Sequence, residues 1–341
     1  VFDPRHKIDI FQFREVVYMK LVTYAVGGQE AVGAVVAGDQ VVVDLAAADK
    51  ALARSEKRKA HPFFSSMLAL LEAGSAGRSA AKKAAAAGEA KLGKGPNGKT
   101  SFAISKVKLR APVPNPRKVF CLAGNFQDHL EESGRTKMQI QDKETPRVFM
   151  KPPSSTVIGP GDKILIPPIA NGVDWEGELA VVIGRKAKGV KAKDALKYVA
   201  GYTVMNDVSE RKLVIKKRTD SRPRDDWFDW LNGKWLDTFA PQGPWIVTAD
   251  EIKDPQTLEI STYVNGDRKQ NNNTAQMLYP VNMIIEYISA IITLEPGDLI
   301  STGTIAGVGN TTGTYMKPGD KVEIEISRIG RLKNTVAASK K

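Results

Sequence analysis

The sequence predicts an α+β protein, rich in strands and with few helices, on three observations. Short runs of alternating or continuous apolar residues recur along the chain, as at 20–26, 177–184 and 199–206. Turn pairs such as Gly27-Gly28, Gly38-Asp39 and Asn265-Gly266 punctuate the strand-like parts. Clear helical spacing is confined to a few stretches, among them 63–72 and 283–292. A length of 341 residues exceeds the usual single domain, so a large domain with a smaller N-terminal one is expected.

Residues 1–18 have mixed charge without the layout of a signal peptide, and are expected to be an extension or leader ahead of a strand opening at Met19. The strands of 20–45 and the helix of 63–72 make 19–110 a small N-terminal α/β domain. Its stretch 73–98 mixes Ala, Gly, Ser and Lys at low complexity and is expected to be loop or solvated helix, helical around 79–90. The net charge of +12 is local: residues 50–118 hold sixteen basic and three acidic side chains. Without interleaved aromatics or a nucleic-acid motif, this reads as a solvated basic face rather than a nucleic-acid surface. The single Cys121 excludes an internal disulfide framework, and no apolar run reaches bilayer length. A soluble, cytoplasmic protein with no membrane partner is expected.

Pro112, Pro114 and Pro116 form an extended linker, so the main domain is expected over 111–330. Its first strand, 119–125, leads into a helical turn at 126–134 that sets His129 and Glu132 at i and i+3 on one face. That spacing lets a carboxylate orient an imidazole for proton transfer with water. The polar loop 135–147 suits a lid that closes over substrate. The strand after it delivers Lys151 ahead of two prolines.

At 174–184 the run Asp-Trp-Glu-Gly-Glu precedes an apolar strand, and residues two apart in a strand share a face. Glu176 and Glu178 therefore point the same way, and in a buried site two such carboxylates share a proton or hold a cation. A second β-like run ends on Asp207. Three oxygen ligands with no neighbouring Cys or His favour Mg2+ or Mn2+ over zinc.

Four motifs in order then resemble the fumarylacetoacetate hydrolase family: Glu176-Gly177-Glu178, Asn206-Asp207-Val208-Ser209, Gly233-Lys234, and Gly297-Asp298-Leu299-Ile300-Ser301-Thr302-Gly303-Thr304. The resemblance implies a mixed, mostly-β roll for the main domain, a homodimer, and a small diketo or keto acid as substrate. It places Lys151 near the metal, makes Lys234 a second active-site lysine, and adds Thr238 as a nearby polar contact. His129 and Glu132 fall where members that cleave carbon–carbon bonds carry such a pair on a lid. The chain departs from the pattern after Asp207, where Arg211-Lys212-Leu213-Val214 replaces a run ending in Gln, and at Phe126, where Tyr is common.

Three of the five tryptophans fall within 227–235, as expected of core or a dimer interface. Gly303 and Thr304 end a strand with a backbone N–H and a hydroxyl suited to a substrate carboxylate. A hairpin at 321–329 closes the domain, and 331–341 is expected to be a frayed basic tail. The function expected first is a metal-dependent hydrolase cleaving a carbon–carbon bond in a 2,4-diketo acid of acylpyruvate or fumarylacetoacetate type. His129 and Glu132 would activate water, and Lys151 and Lys234 would offset developing charge. The alternatives are an oxaloacetate-type decarboxylase or keto–enol isomerase on the same scaffold, which need no water, and a non-catalytic binding protein using the basic stretch.

Overall fold

Alternating apolar residues in the first strands begin the sheet that later carries the site. A computed structural model describes residues 19–93, 95–134 and 144–339. The expected leader at 1–18 and residues 135–143 of the expected lid lie outside the described residues. β1 (Lys20–Val26), β2 (Gln29–Val36) and β3 (Val41–Asp44) pair antiparallel in sequence order. The first turn rests on Gly27 and Gly28 at φ 58° and 82°, a left-handed conformation that glycine adopts without a Cβ clash. Asp44 then caps α1 (Leu45–Ser55) by accepting the Ala47 N–H at 2.7 Å.

After α2 (Met67–Glu72), the low-complexity stretch forms α3 (Gly74–Glu89), and this helix is packed rather than solvated. Ala80, Ala81, Ala84 and Ala85 are buried along one face, where side chains four apart lie in register. A Cβ at Gly88 would come within 2.3 Å of Val43 Cγ1, so small residues let the helix backbone approach the sheet. β4 (Ser101–Ala103) then pairs with β3.

The larger part of the chain begins with β5 (Val119–Ala123), α4 (Gln127–Glu132), β6 (Arg147–Lys151) and β7 (Lys163–Ile166). It continues with β8 (Gly177–Ile183), β9 (Val199–Asn206), α5 (Asp225–Asn232) and β10 (Ala240–Thr248). β11 (Glu259–Val264) and β12 (Asp267–Asn273) form the hairpin expected at Asn265-Gly266, both of which sit at positive φ. α6 (Val281–Ile291), β13 (Leu299–Ser301), β14 (Lys321–Ile326) and β15 (Gly330–Ala338) complete the fold. The expected frayed tail is thus an ordered strand as far as Ala338: Leu332, Asn334 and Val336 alternate inward, and β15 pairs with β14 on one side and β7 on the other.

The main sheet runs β4-β3-β2-β1-β10-β9-β8-β13-β5-β6, and the second sheet runs β12-β11-β14-β15-β7. The N-terminal strands join the main sheet through Lys20↔Val247 and Leu21↔Ile246. β8 divides its side chains by parity. Leu179, Val181 and Ile183 pack with Ile260, Ile324 and Ile326 of the second sheet and with Ile284 and Ile288 of α6. Ala180 and Val182 belong to the other face, with Leu45, Met67 and Ala81. Each fully buried Leu, Ile or Val contributes roughly 1.5–3 kcal/mol, so both faces of β8 are anchored before its polar end is reached. The architecture is α+β and strand-rich. Among the described residues, no helix is long and apolar enough to cross a membrane.

Candidate active site

The antiparallel register Gly177↔Asn206 brings the start of β8 beside the end of β9. Asp207 donates its N–H to the Glu176 carbonyl at 2.9 Å, and Glu176 donates its own N–H to Asn206 Oδ1 at 3.0 Å. Glu176, Glu178 and Asp207, all buried, thereby place one carboxylate oxygen each within 4.8 Å of the others. Glu178 shares the parity of Ala180 and Val182, and its Oε2 accepts from Ser301 Oγ at 2.6 Å and from the Gly303 N–H at 2.8 Å. Its Oε1 is buried with no hydrogen-bond partner among the described residues.

Among the described residues, two buried lysines and one half-buried arginine surround the acids. Lys234 donates to Glu176 Oε2 at 2.9 Å and Asp207 Oδ2 at 2.8 Å, while Lys151 donates to Asp207 Oδ1 and to the Val208 carbonyl at 2.8 Å. Arg211 bridges Asp174, at 3.0 Å, and Glu176. Burial pushes the Glu176 carboxyl up, but Lys234, Arg211 and His129 outweigh it and hold the group well below the usual carboxylate range. Burial, with Asp207 and Glu176 as like-charged neighbours, pushes Glu178 well above that range. Burial also works against the charge on Lys234, yet Asp207 and Glu176 reverse the effect and keep it protonated.

The donor set fits a divalent cation. Three carboxylates converge, hard oxygen donors suit Mg2+ or Mn2+, and the partnerless Oε1 of Glu178 is the buried polar atom such an ion would satisfy.

Beside the acids lies a cavity of about 710 Å3 lined by His129, Glu132, Glu176, Arg211, Lys212 and Lys234, among others. On α4, His129 Nδ1 lies 2.7 Å from Glu132 Oε1. Glu132 Oε2 accepts the Gly307 N–H at 2.8 Å and the Thr311 hydroxyl at 3.3 Å, which holds the carboxylate against the imidazole. A hydrogen bond at Nδ1 leaves Nε2 as the nitrogen able to exchange a proton.

Other expected residues are placed differently. Lys151 is buried behind Asp207 and does not line the cavity. The Gly303 N–H is occupied by Glu178, and Thr304, although on the cavity wall, donates its hydroxyl to the Gly177 carbonyl at 3.1 Å and accepts from Gln270 at 2.9 Å. Neither group is therefore free in the way the strand-end reading expects. Thr238 lies off the cavity, where its Oγ1 accepts the Leu165 N–H at 2.8 Å. The tryptophan cluster divides: Trp230 packs on Phe149 with ring centroids 5.1 Å apart, while Trp227, Phe228 and Trp235 are exposed. Arg211, Asp174 and Ser301 were missed as site residues. The cue for Arg211 was an arginine four residues after Asp207, opening the run that ends on Val214 in place of Gln; Asp174 gave none beyond its place in an acidic run.

The family model of the fumarylacetoacetate (FAA) hydrolase C-terminal region matches residues 118–337. This chain belongs to the fumarylacetoacetate hydrolase family. The mitochondrial oxaloacetate tautomerase Fahd2a of Rattus norvegicus is 42% identical over 234 residues, 68% of this chain and 70% of that protein. A 5-carboxymethyl-2-hydroxymuconate delta-isomerase from Mycobacterium smegmatis superposes with a TM-score of 0.67 at 30% identity, covering 95% of this chain and 100% of the other. The maleylpyruvate hydrolase from Sphingobium sp. SYK-6 gives 0.68 at 28% identity, with 94% and 100% covered. Similar family members thus include a tautomerase, an isomerase and a hydrolase, and each contributes a reaction type to weigh against the site.

Proposed function

We propose that this chain is a divalent-metal-dependent enzyme that interconverts the keto and enol forms of an oxaloacetate-type keto acid. The observation that carries this reading is the His129–Glu132 pair on the wall of the cavity that Glu176 also lines. Tautomerisation moves one proton between the carbon beside a ketone and the ketone oxygen. A positioned imidazole is suited to carry that proton. Glu132, pinned by Gly307 and Thr311, holds the ring so that Nε2 takes or returns it. Glu176, Glu178 and Asp207 would hold Mg2+ or Mn2+, which when bound supplies Lewis-acid polarisation of the keto oxygen. Lys234 and Arg211 keep Glu176 ionised, and Lys151 and Lys234 clamp Asp207 in place. The oxaloacetate tautomerase at 42% identity supports this reaction over the others.

Hydrolysis of a carbon–carbon bond in a 2,4-diketo acid is the second reading, favoured by the same pair, because an imidazole oriented by a carboxylate also activates water. One comparison separates them. Wild-type protein is assayed with magnesium for decay of the enol form of oxaloacetate and for cleavage of an acylpyruvate. Enol decay is expected to dominate, and His129→Ala to slow it by about 100-fold, with magnesium affinity by calorimetry unchanged. Faster acylpyruvate cleavage than enol decay would put hydrolysis first, and full enol decay in His129→Ala would remove the imidazole from the reaction.

A further inference from the structure

Among the described residues four basic side chains line the cavity, and three of them are already engaged. Arg211 bridges Asp174 and Glu176, Lys234 bridges Glu176 and Asp207, and His129 is bonded to Glu132. Lys212 is different: among the described residues no carboxylate lies within ion-pair distance of its ammonium, which sits 4.4 Å above the ring of Tyr315. The position is nonetheless held. The Lys212 backbone N–H donates to Glu210 Oε1 at 2.7 Å, and Glu210, itself buried, also accepts from Gly172. Tyr315 is fixed by its hydroxyl bond to Asn310 at 2.9 Å, and Asn310 lines the same cavity. A Cβ on Gly172 would fall 3.1 Å from Lys212 Cγ and 3.3 Å from Tyr315 Cε1, so the lysine stem, the ring and the Gly172 backbone pack as one unit.

A cation placed by packing and left without a counter-ion at a substrate cavity is a preformed site for an anion. The aromatic face contributes a weak attraction that leaves the ammonium's hydrogen-bonding capacity available. Lys212 is exposed on the wall of the cavity that Glu176 and Arg211 also line, and among the described residues it forms no ion pair with the acids there. We propose that Lys212 binds the second carboxylate of the substrate and makes the site selective for keto dicarboxylic acids over keto acids with one carboxylate. This rests on the keto-acid reading above and deepens it: one carboxylate and the ketone sit at the acidic end, and the distal carboxylate reaches Lys212.

The test uses two probes that differ by one charge, oxaloacetate and its C4 monomethyl ester, each titrated by calorimetry into the magnesium-loaded full chain. Wild type is expected to bind the diacid about tenfold to a hundredfold more tightly, the scale of one charged hydrogen bond. Lys212→Met keeps the stem over Tyr315 and removes the charge. It should weaken the diacid by that factor, leave the ester within about twofold, and so abolish the preference; Lys212→Arg should restore most of it. Equal affinities in wild type, binding of neither probe, or a preference that survives in Lys212→Met would overturn the assignment. Enol decay in the same preparations judges the reaction separately. A diacid preference that depends on Lys212 but comes without enol decay would reject tautomerisation and leave the carboxylate site standing.

Discussion

Gly307 donates its backbone N–H to Glu132 Oε2 at 2.8 Å, tying the loop after β13 to the carboxylate that orients His129. Gly307 sits at φ 100°, and a Cβ there would lie 2.0 Å from the Lys269 carbonyl oxygen. Gly307→Ala must therefore move the loop and release Glu132, at a strain of about 1–3 kcal/mol. Enol decay is expected to fall by at least about tenfold with a lower melting temperature and unchanged magnesium affinity. Wild-type kinetics in this variant would show that Glu132 needs no support from Gly307.

Asp207 and Glu178 should respond in opposite ways when neutralised without metal. Asp207 sits between two buried lysines, so Asp207→Ala leaves both cations without their shared partner and should cost about 3–5 kcal/mol by urea unfolding. An unchanged unfolding free energy would show that Lys151 and Lys234 do not depend on Asp207 as their partner.

Glu178 lies against like charges, and its Oε1 has no partner among the described residues. In Glu178→Gln the amide oxygen can still accept from Ser301 and Gly303, and repulsion with Asp207 and Glu176 disappears. The chelated variant is expected to unfold at the same or a higher temperature than chelated wild type while losing magnesium binding by calorimetry. A large destabilisation in chelator would show that the Glu178 charge supports the fold.

Asp49 gives a pH-dependent contribution remote from the cavity. It is buried on α1 and accepts from Arg58 at 2.7 Å, from the His61 N–H at 2.6 Å, and lies 2.9 Å from His61 Nδ1. Burial pushes its carboxyl up, but Arg58 and His61 outweigh this and hold it below the usual range. With the folded value below the unfolded value of about 3.9, its stabilisation is present above about pH 4 and is lost as pH falls through the folded value. Unfolding free energies measured from neutral pH down to about pH 3 should fall less steeply in Asp49→Asn than in wild type. Parallel acid limbs would assign the loss to other carboxylates.

Gly88→Ala probes the close packing of α3. Alanine is favoured over glycine inside a helix by about 1 kcal/mol, yet the new Cβ meets the stiff, buried Val43 at 2.3 Å. Overpacking of this kind costs about 1–3 kcal/mol, so the variant should be less stable than wild type by urea unfolding. A gain in stability would mean that the helix end is free to shift away from the sheet.

Much of the strand pattern and part of the site were legible from local spacing. A strand has a period of two, so Glu176 and Glu178 had to share a face; a helix brings i and i+3 together, so His129 and Glu132 had to meet, and they do at 2.7 Å. Asn265-Gly266 announced its hairpin because both positions need a left-handed backbone. What depended on partners far away in sequence was not legible. The Ala-rich stretch became a packed helix because Val43 lay opposite, and 330–338 became a strand because β14 and β7 flanked it. Within the site, only the folded sheet could show that Gly303 serves Glu178 across 125 residues, that Lys151 and Lys234 close on Asp207, and that Lys212 finds no carboxylate among the described residues. Local periodicity determines which way a side chain faces. Long-range register determines what it finds there, and hence which charges are cancelled and which remain for a ligand.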